Sequence, residues 1–183
     1  MKRALFLDRD GVLDELVFYE SHQEWEAPRE VGDLRMIDGV REPLLRFADA
    51  GWLLFIVTNQ PSHAKGKVAR ESLQRVHDEV VRRLDVPIAR SYICFHHPQD
   101  RCECRKPSPF FLREAAREFD VDLERSWMAG DQDSDLACGR AAGCRVALIE
   151  SRGAENKRGA IEPDLRVRDL DELANALIPT SSR

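Results

Sequence analysis

The chain has no apolar run approaching the length of a membrane span, and its first residues lack the extended apolar region of a signal peptide. On that reading the cytoplasm is the expected location. Positive charge is not in excess either. The 28 Lys and Arg stand against 33 Asp and Glu, and a formal net charge of −5 favours neither nucleic acid nor a membrane surface as partner. No repeat, low-complexity tract or internal linker interrupts the sequence. Its 183 residues suit a single domain, 1–183, long enough for a substantial core and expected to be a monomer. Five cysteines in a reducing compartment argue against a disulfide framework, and hydrophobic and charged fractions of 43% and 33% are those of a globular protein.

What is present starts at Ala4–Leu7, an apolar run of strand length that delivers Asp8 and Asp10, one residue apart, before Gly11 allows a sharp exit. At the carboxyl end of a strand two such acids could hold Mg²⁺, one attacking a phosphoryl group while the other moves a proton. Alone, the stretch reads equally as a strand followed by a polar turn. Residues 15–36 show no clear period and read as a long ordered loop. Helical spacing follows at Val40, Leu44, Leu45 and Ala48, closed by Gly51, and then a buried-strand pattern at 52–57. That strand ends in Thr58, Asn59 and Gln60, whose hydroxyl and amides suit phosphate oxygens, although Thr-Asn-Gln before Pro61 is also ordinary turn chemistry. An amphipathic helix runs from Val68 to Leu84, with Lys65 just before it as a possible substrate contact.

After a strand at 91–95 come Cys94, His96, His97, Cys102 and Cys104. Three thiols and one imidazole within eleven residues match a tetrahedral Cys₃His zinc site, with His96 and His97 competing for the fourth place. Such a closed site would pin a loop rather than bind substrate. Arg105 and Lys106 follow at once, placed to meet an anion. A helix over 111–119, a strand over 126–129 and Asp131 come next, with Asp133 or Ser134 capping a helix to Ala142. Cys138 and Cys144 read as small core residues. The pattern closes with a strand at 144–149, a surface loop over 150–163, an edge strand at 164–167, a helix capped by Asp169 and Glu172, and a frayed end at 179–183. Strands alternating with helices predict a Rossmann-like, doubly wound parallel sheet. Its rim would gather Asp8, Asp10, Thr58, Lys106 and Asp131: three acids for Mg²⁺ and a cation for phosphate. This joint occurrence outweighs the turn-only reading.

Asp8-Arg9-Asp10-Gly11, Thr58-Asn59-Gln60, the cysteine loop running into Arg105-Lys106-Pro107, and Gly130-Asp131 through Asp135 together resemble the haloacid dehalogenase superfamily phosphatases of the capless kind. Within that superfamily the sequence is similar to the heptose bisphosphate 7-phosphatases and to the histidinol-phosphate phosphatases that share the zinc loop. The resemblance implies hydrolysis of a small phosphorylated molecule in two steps. Asp8 is the implied nucleophile and Asp10 the acid and base. Asp8, the Asp10 carbonyl and Asp131 hold Mg²⁺, and Thr58 and Lys106 hold the transferring oxygens. Asn59, Gln60 and Arg105 are implied substrate contacts, and Cys94, His96, Cys102 and Cys104 are the implied zinc ligands, which favours His96 over His97. Departures bear on the substrate: Val12 stands for Thr, Gln132 for Lys, Pro61-Ser62-His63 for Ser-Gly-Ile and Phe110-Phe111 for Gly-Met. The leading expectation is the 7-phosphate of D-glycero-D-manno-heptose 1,7-bisphosphate, in either anomer. Histidinol phosphate follows, then a polynucleotide 3′-phosphate, and last a silent binding module.

Overall fold

The computed structural model describes residues 1–178, so the expected fraying of 179–183 lies outside the described residues. Six parallel strands form the main sheet: β1 (Ala4–Leu7), β4 (Leu53–Asn59), β5 (Ile88–Cys94), β6 (Trp127–Gly130), β7 (Arg145–Ile149) and β8 (Leu165–Val167). Their spatial order is β5-β4-β1-β6-β7-β8, with register Phe6 to Phe55 on one side of β1 and Phe6 to Met128 on the other. Strand order therefore reverses beside β1, and the crevice at the carboxyl ends of β4, β1 and β6 is where an open α/β sheet binds ligands.

Alternation along the strands assigns the two faces. Leu5, Leu7, Leu54 and Ile56 pack with Leu44 and Phe47 of α1 (Arg41–Asp49), Val76 and Val80 of α2 (Arg70–Leu84), and Leu173 of α5 (Leu170–Leu177). Ala4, Phe6, Phe55 and Val57 pack on the other face with Leu112 and Ala115 of α3 (Phe110–Phe119) and Leu136 of α4 (Asp133–Ala142). Cys138 and Cys144 lie in that second core, as expected of small apolar residues. Each fully buried Leu or Phe here stabilises the fold by about 1.5–3 kcal/mol. No described helix is long and apolar enough to cross a membrane.

The structure departs from the sequence expectation in three places. Residues 15–36, expected as a long ordered loop, contain regular structure. They carry an antiparallel hairpin, β2 (Val17–Tyr19) and β3 (Glu24–Glu26), and a short 3₁₀ turn at Val31–Asp33. The hairpin is too short to show a period, and Phe18 packs on Trp25 across it at 5.3 Å. The strand expected at 91–95 starts earlier, at Ile88, and ends at Cys94. Gln132, not Asp133 or Ser134, stands at the N-cap of α4. Asp135 accepts its N–H at 3.1 Å, while the Asp133 carboxylate accepts from Gly159, Ala160 and Ile161 in the loop opposite.

Candidate active site

β1 delivers the first acids. The Asp8 N–H bonds the Ala129 carbonyl at 2.9 Å, so the ladder between β1 and β6 continues one residue past the strand. The chain then turns at Gly11, at φ +84°, and its N–H meets the Asp14 carbonyl at 2.7 Å. A Cβ at Gly11 would lie 2.1 Å from Asp131 Oδ2, so only glycine lets the turn close over that carboxylate. Arg9, between the two acids, is fully buried and points away from the cavity. Its Nε and Nη2 donate to Asp10 Oδ1 at 3.1 and 2.7 Å, with Asp14 at 3.7 Å. The other Asp10 oxygen accepts from Gln60 Nε2 at 2.5 Å and Thr58 Oγ1 at 3.4 Å.

The end of β4 positions the lysine. Asn59 brackets Lys106 through its amide, accepting from the Lys106 N–H at 3.1 Å and donating to the Lys106 carbonyl at 3.2 Å. The Lys106 ammonium lies 2.8 Å from Asp8 Oδ1 and 2.7 Å from Asp135 Oδ1, and it donates to the Val57 carbonyl at 2.7 Å. Burial works against that charge, but Asp135 and Asp8 outweigh it and hold the Lys106 pKa above its ordinary value.

At the end of β6 Asp131 is fully buried. Its Oδ2 accepts from the Ser151 hydroxyl at 2.7 Å, and its Oδ1 has no partner. Asp8, Asp131 and Asp135 each bring an oxygen within 4.8 Å of the others. Burial, with Asp135 adding repulsion, raises Asp8 well above the usual carboxylate range and pushes Asp131 up to about 7. Clustered buried oxygens, two of them (Asp131 Oδ1 and Asp135 Oδ1) without a hydrogen-bond partner, and too much negative charge for one ammonium fit a hard divalent cation. The Asp10 carboxylate stands outside this cluster, committed to Arg9, Thr58 and Gln60.

A cavity of 490 Å³ opens over these groups, with Asp8, Asp10, Asn59, Arg105 and Lys106 on its wall and Trp25 of the hairpin facing them. Gln60 stands behind Asp10 and does not line it. Arg105 lines the cavity and carries a buried Nη1 without a partner. Lys65 and Lys157 add cations on the same walls.

The cysteine loop also assembles. Cys94 Sγ lies 3.8 Å from Cys102 Sγ and 3.5 Å from His96 Nδ1, which is 3.3 Å from Cys104 Sγ. Cys94, His96, Cys102 and Cys104 thus form a cluster with the dimensions of a metal site. His97 is turned elsewhere, its Nδ1 accepting from the Gln99 N–H at 3.2 Å. In the sequence the stretch from Gly130 through Asp135 carries the family resemblance without giving Asp135 itself a place on the rim. Arg9, Trp25 and Ser151 carried no comparable signal.

Carboxylates around a buried lysine, at the switch point of a parallel α/β sheet, define a hydrolase that works on phosphate esters. A family model described as HAD-hydrolase-like matches residues 103–173. A D-glycero-β-D-manno-heptose-1,7-bisphosphate 7-phosphatase of Haemophilus ducreyi is 32% identical over 94% of this chain and 96% of its own length. One of Pseudomonas aeruginosa is 32% identical over 97% and 98%. The crystal structure of D,D-heptose 1,7-bisphosphate phosphatase from Bordetella bronchiseptica, complexed with magnesium and phosphate, superposes with a TM-score of 0.82 at 29% identity, covering 96% of this chain and 97% of that one. The chain belongs to the haloacid dehalogenase-like phosphatases, in the family of the heptose bisphosphate phosphatases.

Proposed function

We propose that this phosphatase removes the 7-phosphate of D-glycero-D-manno-heptose 1,7-bisphosphate through an aspartyl-phosphate on Asp8. The observation that carries the reading is Asp8 itself, a buried carboxylate at the cavity floor held 2.8 Å from the Lys106 ammonium. An Asp8 oxygen attacks phosphorus and the bond from phosphorus to the sugar oxygen breaks. Asp10 gives its proton to the departing alkoxide, then takes one from the water that attacks the aspartyl-phosphate. Inorganic phosphate leaves and the Asp8 carboxylate returns. Arg9 on one Asp10 oxygen and Gln60 on the other fix the direction of that proton transfer. Lys106, on the cavity wall, stabilises charge as it develops on the transferring oxygens, and Thr58, whose hydroxyl now donates to Asp10 behind that wall, would turn to meet one of them.

Mg²⁺, held by Asp8, the Asp10 carbonyl and Asp131, would neutralise charge between a carboxylate nucleophile and an anionic ester. Cys94, His96, Cys102 and Cys104 would hold Zn²⁺. Zinc–sulfur bonds of about 2.3 Å and zinc–nitrogen bonds of about 2.0–2.1 Å give tetrahedral edges of about 3.8 and 3.6 Å. The spacings of 3.8 Å between sulfurs and 3.5 Å between Cys94 Sγ and His96 Nδ1 lie close to those edges, with that from Cys104 Sγ to His96 Nδ1 shorter at 3.3 Å. The zinc loop runs into Arg105, whose buried, unpartnered Nη1 is suited to an anionic group of the substrate beyond the reacting phosphate.

The test is Mg²⁺-dependent phosphate release across both heptose bisphosphate anomers, histidinol phosphate, fructose bisphosphate and a 3′-phosphorylated oligonucleotide. We expect one heptose anomer to lead by about a hundredfold in kcat/KM, or about 2.7 kcal/mol. A lead by histidinol phosphate would replace the substrate but keep the chemistry, and no turnover on any ester would overturn the proposal.

A further inference from the structure

From the loop after β7 we infer a positioning residue for the metal centre: Ser151 fixes the orientation of Asp131, so that one carboxylate oxygen alone is presented to a divalent cation. Asp131 is fully buried, and its two oxygens are treated differently. Oδ2 accepts the Ser151 hydroxyl at 2.7 Å, while Oδ1 is buried and has no partner. A carboxylate on a two-bond side chain can rotate. A donor on one oxygen removes that freedom and leaves the other oxygen's lone pairs in a set direction, the usual work of a group that hydrogen-bonds a metal ligand.

The surroundings are built for the contact. At Gly11 the missing side chain is what makes room, since a Cβ there would lie 2.1 Å from Asp131 Oδ2 and 3.1 Å from Ser151 Oγ. The serine is itself held by its own loop. Its carbonyl accepts from Arg158 Nη1 at 3.1 Å, and two residues on, Gly153, at φ +90°, packs so closely on Trp25 that a Cβ would lie 2.6 Å from the ring. The same loop thus delivers the donor to Asp131 and seats the hairpin over the cavity.

The inference rests on the reading that Asp131 is a Mg²⁺ ligand, and the experiment separates the two. Mg²⁺ binding to the metal-free protein is measured by calorimetry for wild type, Asp131→Asn, Ser151→Ala, Ser151→Thr and Ser151→Val, with kcat at saturating Mg²⁺ beside it. Thr and Val share a shape and differ in the hydroxyl, so their comparison stands even if Ala mispacks. Ser151→Ala and Ser151→Val should weaken Mg²⁺ binding about ten- to a hundredfold. Ser151→Thr should bind like wild type, and kcat at saturation should change little. Wild-type affinity in Asp131→Asn would overturn the metal reading and the inference with it. Loss in Asp131→Asn with equal affinities for Thr and Val would overturn the inference alone, as would a fall in kcat without a change in affinity.

Discussion

On the proposed reading of Asp131 as a Mg²⁺ ligand, this residue sets the pH response of the metal centre. With its pKa pushed up to about 7 by burial, it is largely protonated below neutrality in the metal-free protein and must ionise to bind a cation. Mg²⁺ affinity should therefore fall about tenfold for each pH unit below 7, and more steeply where Asp8 also protonates. Calorimetry in two buffers of different ionisation enthalpy would count the protons released. For stability the sign is the reverse of the usual carboxylate: the folded pKa is raised, so the metal-free fold loses stability from this group as pH rises from 3.8 to about 7. His77 acts the other way. Burial, helped by Arg9, depresses it from 6.5 to about 4, and both ring nitrogens lack partners. Its contribution is complete above pH 6.5 and is lost as pH falls toward 4, by about 3 kcal/mol at one pKa unit per 1.4 kcal/mol. Urea unfolding of His77→Leu at pH 7 and pH 4.5 should show a smaller loss than wild type. Asp8→Asn should abolish turnover without lowering the Tm of the metal-free protein, because it removes one of three crowded carboxylates. Residual turnover near wild type would reject the nucleophile assignment. The legible residues were those that carry chemistry by type. Arg9 and Ser151 were not legible, since an arginine or serine gains its role here only from which carboxylate the fold places beside it.

The elements divide in the same way. Buried strands were legible as continuous apolar runs and amphipathic helices by a pattern repeated over several turns, whereas the two faces, Leu5 and Leu7 against Ala4 and Phe6, come only from the structure. The hairpin was not. Its strands have three residues each, and Phe18 and Trp25 meet only once the chain has doubled back. The cysteine loop was legible because soft ligands at close spacing have few other uses. Its predicted behaviour follows from position, since it joins β5 to Arg105 and Lys106. Cys102→Ser should lower zinc content, loosen this loop and reduce kcat/KM, while the sheet remains. Elemental analysis with near- and far-ultraviolet circular dichroism would check this, and full zinc content in the variant would remove Cys102 from the ligand set.

At the scale of the whole molecule, binding at the rim should stabilise the entire fold, because the acids that crowd there come from β1, β6 and α4 together. At Mg²⁺ a hundredfold above its Kd the gain is about 2.7 kcal/mol, or roughly 5–10 °C in Tm for a domain of this size. A thermal scan with and without Mg²⁺ would read it directly, and no shift would mean that the cation does not bind the folded state in preference to the unfolded chain. Lys106 shows what the same convergence does at rest. An ammonium has three hydrogens; here one goes to the Val57 carbonyl, while Asp8 and Asp135 flank the charge at 2.8 and 2.7 Å. Under the proposed mechanism an incoming phosphate meets a cation that the protein's own acceptors already surround. The one that can yield is Asp8, whose charge vanishes when it becomes an ester. On that mechanism phosphate and phosphate mimics should compete with Asp8 for Lys106, and the carboxylate restored by hydrolysis should pair with the lysine again and help expel the product.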